Sequence, residues 1–291
     1  MQFKKISIVG KQGSEHVSSF VLSLANYLVS AQKQIYIDCH EDCKIYSTEN
    51  YTCGKLVEWL NELDLIIVIG GDGTLLSVAR MVVDSNIPVI GINQGRLGFM
   101  TDIASHEMID FVNNVVVQEH YTVEDRSLIY AEVLRSDNNI YSSVALNDVV
   151  ISRGAIGNMI EFDISIDSQF VLSQKSDGII FSTPTGSTAY SLAAGGPILH
   201  PNAHVFSIIP ICPQSLTNRP LVISDCSTVE FTLARENSTQ IHFDGQECFD
   251  LEINDKVILK KYPKIFKLVH PVGYNYYRTL RRKLDWSKRV S

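Results

Sequence analysis

The period of the hydrophobic pattern changes near Tyr121, and this change constrains the fold more than any other feature of the chain. Over about the first hundred residues, short apolar runs alternate with segments whose apolar side chains recur at helical spacing. This alternation predicts a parallel sheet covered by helices on both faces. Beyond Tyr121, apolar and polar residues alternate in short runs separated by turn-forming residues. That second pattern predicts an all-β domain of the sandwich type.

We therefore predict two domains, for which a chain of 291 residues is long enough. Residues 1–120 are expected to form an α/β domain with a Rossmann-like parallel sheet, and residues 121–271 an all-β sandwich. The aromatic and basic tail, residues 272–291, is expected to pack back on the first domain as a helix. The predicted strands are residues 6–10, 34–37, 65–69, 88–92, 128–134, 140–151, 160–166, 229–233 and 241–243, and the predicted helices are residues 15–29, 56–60 and 75–83.

Charge and composition narrow the classes of function. The formal net charge of -7 and the pI of about 5.6 argue against a nucleic-acid partner, because such proteins usually present a basic face. The chain contains no run of about 18 apolar residues, so we expect no membrane span. Its N-terminus lacks the apolar stretch of a signal peptide. We expect a cytoplasmic protein with reduced cysteines; Cys39, Cys43 and Cys53 lack the paired spacing of a zinc site.

Five residues after the apolar run 65–69 carry the strongest chemical signal: Gly70-Gly71-Asp72-Gly73-Thr74. They lie at the carboxyl end of a predicted strand, where ligands of parallel sheets bind. Glycine has no Cβ and lets backbone amides approach a phosphate. A carboxylate there repels phosphate unless it has a role of its own, so Asp72 is predicted to work in phosphoryl transfer. The alternative is a turn carboxylate that caps the helix beginning at Leu75. The predicted phosphate loop comprises Gly70, Gly71, Gly73 and Thr74.

Two other polar segments stand out. Residues 176–190 contain a strand followed by a loop of hydroxyl side chains and glycine, with a helix predicted near Thr188. Small hydroxyls and backbone amides suit sugar and phosphate oxygens, although a capped helix start is the simpler alternative. Asn147 and Asp148 interrupt an apolar run, which costs stability unless the pair is satisfied. The pair therefore faces a ligand or marks a strand edge or bulge.

Taken together, four motifs resemble those of the NAD kinase family, and the likeness covers nearly the whole chain. In chain order they are residues 70–74, residues 93–99 (Asn-Gln-Gly-Arg-Leu-Gly-Phe), Asn147-Asp148 and residues 176–190. The first is also similar to a loop of diacylglycerol and sphingosine kinases and of phosphofructokinases. Residues 183–190 together with Asn147-Asp148 are far more specific. The order and spacing of the four resemble the bacterial branch of the family.

The resemblance implies phosphorylation of the 2′-hydroxyl on the adenosine ribose of NAD, with ATP as donor and Mg²⁺ or another divalent cation, giving NADP. It implies a homodimer or homotetramer, with Asp72 as the catalytic carboxylate and no side chain identified as a direct metal ligand. The absence of a Walker-type loop indicates that the triphosphate is held differently. The implied NAD-binding residues are Asp72, Gly73, Phe99, Asn147, Asp148, Lys175, Asp177, Thr188, Ala189, Tyr190, Ala193 and Gln246.

The chain departs from the family pattern at three positions. Asp148 stands where the family usually has Glu, which draws the carboxylate back by one methylene. Lys175 replaces an Arg of several bacterial members and loses the planar fork of the guanidinium. Asn158 occupies a position that is His in some members. Two other functions stay open at this point: a lipid kinase of the diacylglycerol type, and a dinucleotide sensor without catalysis.

Overall fold

The computed structural model describes residues 3–11, 15–39, 45–95, 98–154, 158–235 and 238–286 of the chain. Cys43, Arg96 and Leu97, which the motifs above include, and the last five residues of the tail lie outside these ranges. The chain divides into two compact units: Met1–Asp125 with Phe266–Ser291, and Arg126–Ile265.

The secondary structure follows the two units along the chain. The strands of the first unit are β1 (Lys5–Gly10), β2 (Gln34–Asp38), β3 (Tyr51–Gly54), β4 (Leu65–Gly70), β5 (Val89–Asn93), β6 (Ile103–Ala104) and β7 (Tyr121–Arg126). Those of the second are β8 (Ile129–Arg135), β9 (Asn138–Ala145), β10 (Asp148–Arg153), β11 (Ile160–Ile166), β12 (Gln169–Ser176), β13 (Gly178–Ser182), β14 (Val205–Ile211), β15 (Leu221–Ser224), β16 (Val229–Arg235), β17 (Thr239–Phe243), β18 (Glu247–Leu251) and β19 (Lys256–Lys261). The chain then returns to the first unit as β20 (Phe266–Pro271). The α-helices are α1 (Glu15–Ser30), α2 (Asp72–Val82), α3 (Met108–Val116), α4 (Tyr190–Ala193) and α5 (Tyr276–Lys283).

The first unit is built on an eight-stranded sheet in the order β3-β2-β1-β4-β5-β20-β7, with β6 paired to β5. The pairs β1–β2, β1–β4 and β4–β5 are parallel. Every residue of β4 is buried, which explains its continuous apolar run. Helix α2 begins at Asp72, three residues before the predicted start, so the glycine–aspartate motif is the turn from strand β4 into the helix.

The second unit contains two antiparallel six-stranded sheets, in the orders β15-β14-β13-β10-β17-β18 and β12-β11-β16-β19-β8-β9. Their inner faces share one apolar core, to which Phe162 and Phe231 contribute from one sheet and Phe181 and Phe243 from the other. Period-two alternation along strands such as β11, β16 and β17 supplies this buried face. The predicted fold class, an α/β part followed by an all-β sandwich, is confirmed.

The predicted strand 140–151 is two strands. β9 ends at Ala145 and lies in one sheet of the sandwich, whereas β10 begins at Asp148 and lies in the other. Leu146 and Asn147 form the crossover between the sheets. The polar pair therefore interrupts the apolar run because the chain changes sheets at this point.

Strand β20 pairs with β5 in the parallel sheet, at Leu268 and Val89. Along the sequence, the entire second unit lies between β20 and the rest of the first unit. The predicted boundaries at residues 120 and 272 differ by a few residues from those of the compact units. Helix α5 follows in the same unit and buries Tyr276 and Leu280. Within the residues described, none of the helices has both the length and the apolar character needed to cross a membrane.

Candidate active site

In the first unit the Asp72 carboxylate binds a loop that is distant in sequence. Its Oδ1 accepts hydrogen bonds from the amides of Met100 (3.2 Å) and Thr101 (2.9 Å) and from the Thr101 hydroxyl (2.9 Å). Its Oδ2 accepts a hydrogen bond from the amide of Phe99 at 2.8 Å. The N-cap of α2 is Gly71, without a side-chain cap. Asp72 therefore does not cap its own helix, and its carboxylate holds the loop that follows β5.

Glycines shape this loop in two different ways. A Cβ built at Gly98 would lie 2.1 Å from Asp72 Oδ1, and one at Gly70 would lie 2.6 Å from the Thr74 hydroxyl oxygen. Both positions therefore require glycine for close approach. A Cβ at Gly71 or Gly95 would meet nothing within 4 Å. The backbone at Gly71 and Gly95 thus borders open space, and Gly71 directly precedes the first turn of α2, where amides and the helix dipole favour anions.

Phe99 is part of the same loop. Its ring lies 5.4 Å from the ammonium nitrogen of Lys283, at the end of α5. This cation–π contact brings a positive charge from the tail beside the Asp72-binding loop. The residues that the structure brings together in the first unit are therefore Gly70, Gly71, Asp72, Gly73, Thr74 and Phe99.

In the second unit another carboxylate, that of Asp244, organises the crossover between β9 and β10. Its Oδ1 accepts from the amides of Asn147 (2.7 Å) and Asp148 (3.2 Å), and its Oδ2 accepts from the amide of Leu146 (3.1 Å). Asp244 and Gly245 both have positive φ, 52° and 64°, at the turn that joins β17 to β18. Gln246 follows, with its amide bonded to Phe243 O at 2.9 Å and its side chain exposed.

The Asp148 side chain is 5% exposed. Burial, with a contribution from the neighbouring Asp244 carboxylate, raises the pKa of Asp148 to about 7. A carboxyl group with that pKa is partly protonated near neutral pH and can donate as well as accept a hydrogen bond. Beside it, the Oδ1 of Asn147 is buried without a donor among the described residues. The Oδ1 of Asn147 therefore keeps hydrogen-bonding capacity that the described residues do not use.

The hydroxyl-rich loop packs directly against this crossover. The Thr183 amide donates to the carbonyl oxygen of Asn147 at 2.9 Å, and a Cβ built at Gly186 would lie 2.1 Å from that oxygen. Arg126, which is buried, donates to the Thr185 hydroxyl at 3.3 Å. One short helical turn then leads into α4. The predicted contact residues that lie on this turn and helix are Thr188, Ala189, Tyr190 and Ala193.

Lys175 and Asp177 are placed away from the crossover. Asp177 precedes β13, whose register pairs Gly178 with Ser152 and Ser182 with Asp148, so it lies at the opposite end of this strand pair. It forms an ion pair with Arg153 at 2.8 Å. Lys175 lies on β12 in the other sheet, 2.8 Å from Glu161, and lines a cavity of about 650 Å³. Within one copy of the second unit, the structure does not bring these two residues to Asn147 and Asp148.

The described residues contain no group of three or more His, Cys, Asp or Glu side chains that could hold a metal ion. The side chains in those ranges therefore do not supply the oxygen cage of a dedicated metal centre.

Comparison with known proteins identifies the family of the chain. Residues 8–121 match the family model of the ATP-NAD kinase N-terminal domain, and residues 146–271 match that of the ATP-NAD kinase C-terminal domain. The chain belongs to the NAD kinase family. The NAD kinases of Chromobacterium violaceum and Laribacter hongkongensis are each 47% identical to it over 288 residues, which is 99% of this chain and 98% of theirs. The predicted family and the predicted ATP-dependent NAD kinase activity are therefore confirmed.

Solved structures share the fold of this NAD kinase family member. Yeast NADH kinase complexed with NADH has a TM-score of 0.89 at 24% identity, covering 100% of this chain and 91% of that one. The NAD kinase from Archaeoglobus fulgidus in complex with ATP has a TM-score of 0.74 at 23% identity, covering 97% and 98% of the two chains.

Several residues that build the two clusters were not identified from the sequence. Asp244 lies in an Asp-Gly turn, and that local pattern gives no indication of its three bonds to residues 146–148. Gly98 and Thr101 lie in or beside a recognised motif, yet their contact with Asp72 joins positions 26 and 29 residues apart. The local hydrophobic pattern of the sequence does not indicate a contact of that kind.

Proposed function

We propose that Asp72 is the general base of the NAD kinase reaction, in which the γ-phosphoryl group of ATP passes to the 2′-hydroxyl on the adenosine ribose of NAD. The observation that carries this proposal is the position of the carboxylate: it begins α2, beside backbone that borders open space at Gly71 and Gly95. Among the described residues, Phe99 is the one hydrogen-bond donor to Oδ2, which keeps a lone pair for a ribose hydroxyl.

The chemical step requires deprotonation of an alcohol that is a poor nucleophile at neutral pH. As the oxygen bonds to the γ-phosphorus and the bond to the β-phosphate oxygen of ATP breaks, the hydroxyl proton passes to Asp72. A base so placed typically contributes about 10²–10⁴ in rate. The three bonds to Oδ1 fix the carboxylate, so little reorientation is needed during the transfer. The amides at the start of α2 favour the phosphoryl oxygens.

A divalent cation, Mg²⁺ or a similar ion, enters as part of the ATP complex in this proposal. The described residues offer no side-chain cage for it, so we propose no protein side chain as its ligand. When bound to the triphosphate, Mg²⁺ neutralises charge on the phosphate oxygens.

For NAD binding we propose residues on each unit. On the first unit they are Asp72, Gly73 and Phe99. On the second they are Asn147, Asp148, Thr188, Ala189, Tyr190, Ala193 and Gln246, together with Asp177 at the far end of the β10–β13 pair and Lys175 on β12. The buried acceptor of Asn147 and the partly protonated carboxyl of Asp148 support contacts to ribose hydroxyls or amide groups.

We also propose that the protein assembles as a homo-oligomer. Strands β12 and β15 are edge strands of the two sandwich sheets. They carry exposed apolar side chains, among them Phe170 (66% exposed) and Leu221 (41%), and Leu216 just before β15 is 90% exposed. Apolar edges of this kind are usually covered by a partner. Sedimentation velocity is expected to show a dimer or tetramer, and a monomer at micromolar concentration would contradict the proposal.

The test of function is a direct assay. Purified protein with NAD, ATP and Mg²⁺ should form a product that an NADP-specific dehydrogenase reduces, and phosphorus NMR should place the new phosphate on the 2′-oxygen. Parallel reactions with diacylglycerol, or with polyphosphate in place of ATP, test a lipid acceptor and an alternative donor. NAD binding without any phosphorylated product would instead indicate a sensor.

A further inference from the structure

A buried charged cluster lies behind the Asp72-binding loop. His270 on β20 is 1% exposed, and its ring lies between two acidic side chains. Its Nε2 is 3.1 Å from Glu124 Oε2, and its Nδ1 is 3.6 Å from Asp102 Oδ2, an ion-pair distance. The ring of Tyr274 stacks on the imidazole with a centroid separation of 3.8 Å and an interplanar angle of 7°.

The imidazole of His270 separates the two carboxylates. The side chains of Asp102 and Glu124 are only 10% and 14% exposed, so water screens their mutual repulsion poorly. One ring nitrogen of His270 faces each carboxylate. Stacking on Tyr274 holds the plane of the ring and hence the directions of both ring nitrogens. The cluster therefore joins β7, β20 and the segment before β6.

The cluster is linked to the proposed catalytic carboxylate through the residue that precedes Asp102. Asp102 directly follows Thr101, whose amide and hydroxyl each donate to Asp72 Oδ1 at 2.9 Å. The hydroxyl of Thr101 also accepts from the Asn93 side chain at 2.9 Å. A shift of Asp102 would therefore move Thr101 and, with it, the Asp72 carboxylate.

We propose that His270 is a positioning residue for phosphoryl transfer: by holding Asp102 against β20, it fixes the segment whose amides hold Asp72. It touches neither reacting atom and acts only through the loop. The proposal rests on the assigned role of Asp72 as general base. Because displacement of a catalytic group by about 1 Å can lower a rate roughly 10²-fold, the effect should appear in kcat.

The test is a double-mutant cycle between His270→Leu and Asp72→Asn. His270→Leu is expected to lower kcat about 10- to 100-fold while KM for NAD and for ATP stays within about threefold. In the Asp72→Asn background the same change should lower the residual rate less than about twofold, since the carboxylate to be positioned is gone. His270→Gln, which keeps one N–H donor, should recover part of kcat.

The assays are run at a temperature at which circular dichroism shows every variant folded. If His270→Leu does not fold, Asp102→Asn takes its place in the same cycle. Arg135→Leu is the matched control. It removes the ion-pair partner of another buried carboxylate, that of Asp255 in the other unit, whose Oδ2 lies 2.8 Å from Arg135. This variant should lower stability but leave kcat unchanged.

An unchanged kcat in folded His270→Leu, or an equal fold-loss in both backgrounds, would overturn the positioning role. The assigned role of Asp72 fails separately, if Asp72→Asn alone leaves kcat unchanged.

Discussion

Asp72 Oδ2 accepts a hydrogen bond from the amide of Phe99 at 2.8 Å, across 27 residues of sequence. The same carboxylate that is suited to take a proton from a hydroxyl is thus also the anchor of the loop after β5. Chemistry and local structure share one side chain, so variants at Asp72 must be judged by rate and by stability together.

Asp72→Asn should lower kcat by about 10²–10⁴ while NAD affinity changes little, because the amide cannot accept a proton from the ribose hydroxyl. Steady-state kinetics and calorimetric titration with NAD measure the two quantities. The control is Asp64→Asn, since the Asp64 carboxylate also accepts two backbone amides, from Lys4 and Lys5 at 2.9 Å, in the same unit. It should keep kcat near that of the wild type. Loss of NAD affinity with kcat retained in Asp72→Asn would contradict the assigned role.

Gly98→Ala should destabilise the first unit by about 1–3 kcal/mol and reduce activity, because its Cβ would fall 2.1 Å from Asp72 Oδ1 and 2.3 Å from the Thr101 hydroxyl oxygen. Gly95→Ala in the same loop is the control for stability, since its Cβ meets nothing within 4 Å. Urea unfolding of both variants decides the matter. Equal free energies of unfolding for the two variants would show that the loop accommodates a Cβ at position 98 without loss of stability.

Asp244→Ala should destabilise the second unit by about 3–6 kcal/mol more than Asp167→Ala, because hydrogen bonds to a charged group contribute about 1.5–3 kcal/mol each and the two side chains differ by two such bonds. Both residues have positive φ, 52° and 50°, so the backbone cost of alanine is similar. Asp244 accepts three backbone amides, whereas Asp167 accepts one, from Thr228 at 2.9 Å. Urea unfolding measures the difference, and NAD affinity should fall only in Asp244→Ala. Matching losses would mean that the crossover does not depend on this carboxylate.

Asp148→Asn should change the pH dependence of stability. The pKa of Asp148 rises on folding from 3.8 to about 7, so the folded protein keeps a proton that the unfolded chain has lost between those values. The contribution of this group to stability is therefore full below pH 3.8, declines as pH rises and levels off above pH 7. The gain in unfolding free energy of Asp148→Asn over wild type should grow by about 2–3 kcal/mol from pH 5 to pH 8.

Urea unfolding at a series of pH values measures this slope. Asp137→Asn, which alters a carboxylate with 89% exposure, is the control and should run parallel to the wild type. A pH-independent difference between wild type and Asp148→Asn would show that the Asp148 carboxyl titrates alike in the folded and unfolded chain.

Local pattern was sufficient for much of the fold. The buried run of β4, the helical spacing in α1 and the alternation in β11 each depend on one face of one element, so the sequence displays them directly. The glycines around Asp72 likewise marked the turn at the end of β4. The family followed from four motifs whose residue types and spacing lie open in the chain.

By itself, then, the sequence determined the two kinds of architecture, the family and the carboxylate proposed to do the chemistry. The tertiary structure decided what each polar group touches. It returned β20 to the first sheet, divided residues 140–151 between two sheets, and placed Asp244 on the amides of residues 146–148 and His270 beside Asp102. These contacts join residues 96 or more positions apart. Such pairings are set by the packing of whole elements, which leaves no periodic pattern in either segment.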